Sequence, residues 1–136
     1  MGLKERRAIK EFQDNVYPAL KNKVDLAAGF NVEIEIDWDS LAEENMMHCY
    51  NEHWTKVYFE PVLQGFAEIC VDEMGKEALK DCLKKIVFCN IEGNSSAKKA
   101  ISFKDGILKI DHKSHTNVDY SEERKTALVD LLSDNL

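Results

Sequence analysis

The sequence contains no long apolar run. The longest unbroken one, Ile86 to Cys89, is far shorter than the roughly 20 residues that a membrane-spanning helix needs. Met1 to Arg7 is rich in charge and no apolar segment follows it, so we expect neither a secretion signal nor a lipid anchor. We therefore expect a cytoplasmic protein that does not bind membranes.

Proline and glycine are scarce, with two and six residues among 136, while charged residues make up 32% of the chain. This composition excludes fibrous and disordered classes, and the length suits a single domain, which we expect to span residues 1–136. The cysteines have no CxxC spacing, and a chain of this length does not need disulfides to fold. We expect four reduced core thiols, at Cys49, Cys70, Cys82 and Cys89.

Several functional signatures are absent from the sequence. It has no Gly-rich phosphate loop and no GxSxG nucleophile elbow, so it predicts no cofactor and no recognisable hydrolase motif. A nucleic-acid partner is also disfavoured, because phosphate binding needs a continuous basic face. The lysines nearest to such a face are interleaved with acids: Lys98, Lys99, Lys104, Lys109 and Lys113.

The first half of the chain carries one helical and one strand pattern. Apolar residues recur every three or four positions from Leu3 to Ala28, which predicts an amphipathic helix that Pro18 kinks or breaks into two near Asn15 to Tyr17. Strict alternation from Asn31 to Trp38 predicts a half-buried strand with its acids outward. Ser40 and Glu43 then have the spacing of a capping box at the start of the next helix.

Further helices are predicted up to Lys85, one starting near Pro61 and another after Gly75. The pattern continues with a central strand at Ile86 to Ile91 and a hairpin turning at Asp105-Gly106. A final helix capped by Ser121 closes the chain. The predicted order is α-β-α-α-β-β-β-α. We expect one α+β domain with a mostly antiparallel four-stranded sheet and helices on one face.

Two kinds of chemical site are candidates. Cys49 and His53 are four residues apart and share a helix face, so they could serve as nucleophile and base of a small hydrolase or transferase. Metal ligands are the second possibility. The candidates are Asp37 and Asp39, about 7 Å apart on one side of a strand, and His112 and His115, with HxxH spacing.

Charge is the most informative feature. The formal net charge is −7, and residues 30–60 hold eight acids against the single Lys56. We expect a non-catalytic module that recognises a basic surface on a protein partner. Two other interpretations stay open: a solvated face that only keeps the protein soluble, and pairing of the acids with Lys104, Lys109 and Lys113 of the hairpin. The predicted binding residues are Glu33, Glu35, Asp37, Asp39, Glu43 and Glu44.

Overall fold

In the computed structural model, which describes residues 1–136, the first helical pattern forms two helices, α1 (Leu3–Asn15) and α2 (Tyr17–Ala28). The break falls at Val16, because Pro18 occupies the first turn of α2, where its missing N–H costs no helical hydrogen bond. Gly29 ends α2 in the left-handed conformation, with φ of 85°. The predicted interruption is confirmed.

The acidic strand is shorter than its pattern predicts. Strand β1 covers Ile34–Ile36, and a short helix, α3 (Trp38–Leu41), follows at once. The predicted capping box of Ser40 and Glu43 is wrong, because Asp37 caps the helix and accepts a hydrogen bond from the Ser40 N–H at 3.4 Å. The Ser40 hydroxyl instead donates to the Asp37 carbonyl at 2.7 Å.

The next helical region changes its winding along its length. It consists of a 3₁₀ turn (Met47–Cys49), helix α4 (Tyr50–Trp54), a π-helical segment (Thr55–Phe59) and helix α5 (Glu60–Ile69). The wider π turn places three consecutive side chains in the core: Val57, Tyr58 and Phe59. Pro61 lies in the first turn of α5, as predicted.

Two later helices begin differently from their predictions. Helix α6 (Glu73–Cys82) starts before Gly75, because Asp72 caps it by accepting from the Gly75 N–H at 2.8 Å. A Cβ atom at Gly75 would collide with the backbone carbonyl of Ile69.

A short helix, α7, covers Ala97–Ala100, and α8 covers Ser121–Asn135. The predicted Ser121 cap is wrong, since Tyr120 occupies the cap position of α8.

The sheet is completed by β2 (Lys85–Cys89), β3 (Ile101–Lys104) and β4 (Ile107–Asp111), in the order β1-β2-β4-β3. The prediction of a mostly antiparallel sheet is wrong: β1 with β2 and β2 with β4 are parallel, and only β3 with β4 is antiparallel. Parallel neighbours need long crossover connections, which α3 to α6 provide between β1 and β2.

The hairpin turns at Asp105-Gly106, as predicted. Ile101 pairs with Ile110 and Phe103 with Leu108. Both turn residues have positive φ, 54° at Asp105 and 81° at Gly106, as a type I′ turn requires.

The sheet has one apolar and one open face. On the apolar face, Tyr58 and Phe59 of the π-helical segment contact Phe88 of β2. This face belongs to a single core of 24 buried residues, so the chain forms one α+β unit. The open face carries the acidic side of β1.

None of the helices is sufficiently long and apolar to cross a membrane.

Candidate functional site

The six predicted binding residues are all exposed. Of these, Glu35 lies in β1, and Glu33 and Asp37 flank the strand at the alternate positions before and after it, towards the open face of the sheet. The alternation follows from the strand geometry, which sends Ile34 and Ile36 towards the core. The result is a row of three carboxylates at one edge of the sheet.

The remaining three acids follow directly after this row. Asp39 lies in the first turn of α3, and Glu43 and Glu44 follow that helix. These three residues line a shallow depression with Met1 and Glu5. We call Glu33, Glu35, Asp37, Asp39, Glu43 and Glu44 together the acidic segment.

Few cations compensate the acidic segment. Its one ion pair joins Glu35 to Lys85 of the neighbouring β2, with 3.6 Å between Oε2 and Nζ. Lys56, the only cation between residues 30 and 60, is held elsewhere by Glu52 at 3.1 Å and Asp119 at 3.0 Å. Five of the six carboxylates therefore have no ion pair.

The hairpin lysines do not pair with the acidic row. Lys104, Lys109 and Lys113 are exposed and form no ion pair, and β2 separates β1 from the hairpin. The alternative interpretation that these lysines pair with the acids is therefore wrong, because the strand order places the hairpin one strand too far away.

The geometry expected for a metal at Asp37 and Asp39 is also absent. The strand ends at Ile36, so the two carboxylates do not share one side of a strand: Asp37 caps α3, and Asp39 lies within it. No group of three or more His, Cys, Asp or Glu side chains is arranged to hold a metal ion.

The two histidines of the HxxH spacing have separate partners. The ring of His112 is buried, with Nδ1 at 2.6 Å from the Lys113 carbonyl, whereas His115 contacts His53. The loop after β4 carries no helical repeat that would turn the two rings towards one point.

His53 and His115 form a close pair, with 2.8 Å between their Nδ1 atoms. Burial lowers the pKa of His115 to about 4, with further contributions from nearby His53 and His48, so its ring is neutral at neutral pH. One Nδ1 therefore donates to the other, since a neutral imidazole carries a single N–H. Tyr50 stacks on the His115 ring, with 5.7 Å between the ring centroids.

This pair weakens the case for Cys49 and His53 as a catalytic couple. The Nδ1 of His53 is engaged by His115, and no hydrogen bond joins Cys49 to His53. All four cysteines are free thiols. Burial and, to a smaller extent, the nearby charge of Asp111 raise the pKa of the Cys89 thiol to about 11. Burial also raises the pKa of Cys70, so neither thiol is activated.

A buried polar cluster beside the π-helical segment was not predicted from the sequence. The Tyr58 hydroxyl donates to the His112 carbonyl at 2.6 Å and lies 3.0 Å from the Ser114 hydroxyl. Burial raises the pKa of Tyr58, so the phenol stays protonated. We define the buried polar cluster as Tyr58, His112, Ser114 and Arg124.

Arg124 holds the loop before α8 against the π-helical segment. Its guanidinium donates to the carbonyls of Asn117 and Val118, both at 2.7 Å, and of Lys56 at 3.3 Å. One sequence signal could have revealed its burial: Arg124 precedes the buried Leu128 by four residues and therefore lies on the same helix face.

Comparison of the chain with protein family models, with curated proteins and with solved structures found no match.

Proposed function

We propose that this protein is a non-catalytic binding module whose acidic segment recognises a basic surface on a protein partner. The proposal rests on six exposed carboxylates, three in a row along the strand and three lining the depression after it. Of the six, only Glu35 forms an ion pair. Carboxylates so close together repel one another, and a cationic partner relieves that repulsion.

The same charge layout favours rapid association. Charges that are exposed and unpaired contribute little to folding, but they attract an oppositely charged partner over distances up to the Debye length. Such steering raises the association rate and weakens as salt is added. The proposed recognition should therefore depend strongly on ionic strength.

No observation favours the hydrolase or transferase alternative. Its proposed nucleophile, Cys49, forms no hydrogen bond to His53, whose Nδ1 contacts His115 instead. The buried polar cluster is enclosed in the core, where a substrate has no access, and the Tyr58 hydroxyl and the terminal guanidinium groups of Arg124 are bonded to backbone carbonyls.

The test compares two variants with matched charge changes. In the first, Glu33, Glu35, Glu43 and Glu44 are replaced by Gln; Asp37 is kept because it caps α3. The control neutralises four exposed acids that lie outside the acidic segment and form no ion pair: Glu11, Glu77, Glu92 and Glu123. Both variants lose the same net charge.

Each protein is used to capture partners from a soluble extract of its own source at low and high salt. We expect a protein partner that the parent and the control variant retain at low salt, that high salt releases, and that the acidic-segment variant does not retain. Association rates with the purified partner then give the steering directly. Equal capture and equal rates for both variants would contradict the proposal.

A further inference from the structure

The acidic row lies on and beside a strand that pairs on one side only. β1 is at the end of the sheet, and β2 is the only strand that pairs with it. In a parallel pair, alternate residues of a strand direct both backbone groups to the same neighbour. The backbone bonds from Ile86 N–H to the Glu33 carbonyl and from Asp37 N–H to the Phe88 carbonyl show that the odd-numbered residues face β2.

The N–H and C=O groups of Ile34 and Ile36 consequently point to the outer side. Neither residue forms a backbone bond outside the sheet or a bond to a side chain. A strand edge with unpaired donors and acceptors is a template on which an extended chain can pair.

From this edge we infer that β1 binds an extended segment of the partner as an additional strand with basic side chains at alternate positions. The inference rests on the proposed function and specifies its partner. On an added strand, the side chains above the open face lie beside Glu33, Glu35 and Asp37, where lysine or arginine complements the charge. The intervening side chains lie on the other face, beside Ile34 and Ile36, where apolar residues fit.

Charge also selects which edge of the sheet is used. The opposite edge is β3, whose exposed Lys104 faces the same side as the exposed Lys109 of β4. A basic strand is repelled there and attracted at β1. The two edges thus have opposite charge, and the inference applies to β1 alone.

The test uses a synthetic peptide of alternating lysine and valine and two N-methylated forms of it. One form is methylated at the lysines and the other at the valines. Whichever direction the peptide takes, one alternate set of its N–H groups faces β1 and the other set faces away. Methylation removes those donors without changing the charge.

We expect the unmodified peptide to bind at low salt and one methylated form to bind equally well. The other form should bind at least about tenfold more weakly, because its donors to β1 are lost. Amide hydrogen exchange at Ile34 and Ile36 should slow in the complex. Replacing Glu33 and Glu35 by Lys should abolish binding of this peptide and create binding of an alternating glutamate and valine peptide.

Two outcomes would overturn the inference and leave the proposed function standing. Equal binding of both methylated forms would mean that the acids attract the peptide without strand pairing. Absence of peptide binding at low salt would mean that the edge accepts no added strand and that a partner contacts the acids through a folded surface instead. Failure of the proposed function is distinguishable, because it would appear as unchanged partner capture by the acidic-segment variant.

Discussion

The acidic segment and the buried polar cluster both concentrate polar side chains, but they use them in opposite ways. In the buried polar cluster, Arg124 is 1% exposed and donates to three carbonyls. In the acidic segment, the side chain of Glu35 is 65% exposed and has only a 3.6 Å ion pair. The interior contacts therefore hold the fold together, whereas the surface charges are available to another molecule.

The largest effect should follow from removing the buried guanidinium of Arg124. Replacing Arg124 by Met should lower the free energy of unfolding by about 3 kcal/mol or more, because three partly buried carbonyls lose a charged donor. Denaturant titration measures the loss. The control is Lys125→Met, which removes only surface ion pairs to Glu68 and Glu122 and should be nearly neutral. Equal stability of both variants would contradict a structural role for Arg124.

Tyr58→Phe should have the next largest effect. It removes a hydroxyl bonded to His112 and Ser114 and leaves their oxygens without that partner, which should cost about 1–2 kcal/mol. The matched control is Tyr120→Phe, since Tyr120 is 55% exposed and its hydroxyl forms no hydrogen bond within the protein. If thermal melts place the two variants at the same transition temperature, the hydroxyl of Tyr58 contributes nothing to the cluster.

The histidine pair should make stability depend on pH. The pKa of His115 is lowered from 6.5 to about 4, so the unfolded chain binds more protons than the folded one between these values. The contribution is complete above about pH 6.5 and is lost as the pH falls towards 4. Burial lowers the pKa of His112 as well, so that residue adds to the same slope.

The variant His115→Gln removes one of these titrating groups. It should flatten the loss of stability between pH 6.5 and 4, measured by denaturant titration at several pH values. The exposed His48 supplies the control variant, His48→Gln, which should keep most of the parent slope. A parent slope that survives in His115→Gln would exclude His115 as its source.

The smallest effect on stability is expected in the acidic segment itself. Neutralising Glu33, Glu43 and Glu44 removes no ion pair, so the free energy of unfolding should change by about 0.5 kcal/mol or less, or rise slightly as repulsion is relieved. Thermal and denaturant melts at low salt measure this. A large loss of stability would make these acids structural and would remove the contrast with the buried polar cluster.

Local signals in the sequence predicted part of this fold. Pro18 and Gly29 marked the break and the end of the first helices, and Asp105-Gly106 marked the hairpin, because each acts through its own backbone conformation. The exposure of the acids followed from the alternation around Ile34 and Ile36. These features depend on neighbours a few residues away.

Other predictions failed where a distant partner decided the outcome. The Ser40 hydroxyl was expected to cap a helix, but it accepts from the N–H of Asn90, 50 residues further along the chain. His53 was expected beside Cys49, but it contacts His115, 62 residues away. Such partners share no periodicity, so no pattern within one segment predicts them.

Composition and local backbone geometry set where the charge lies, which side chains along β1 face outward and how the hairpin turns, so these features can be predicted from the sequence. Long-range packing, in contrast, places β2 between β1 and the hairpin, makes the sheet mainly parallel and buries Arg124. Strand order depends on how the crossover helices pack on the shared core. That packing leaves the acidic strand at an open edge, away from the lysines that could have neutralised it.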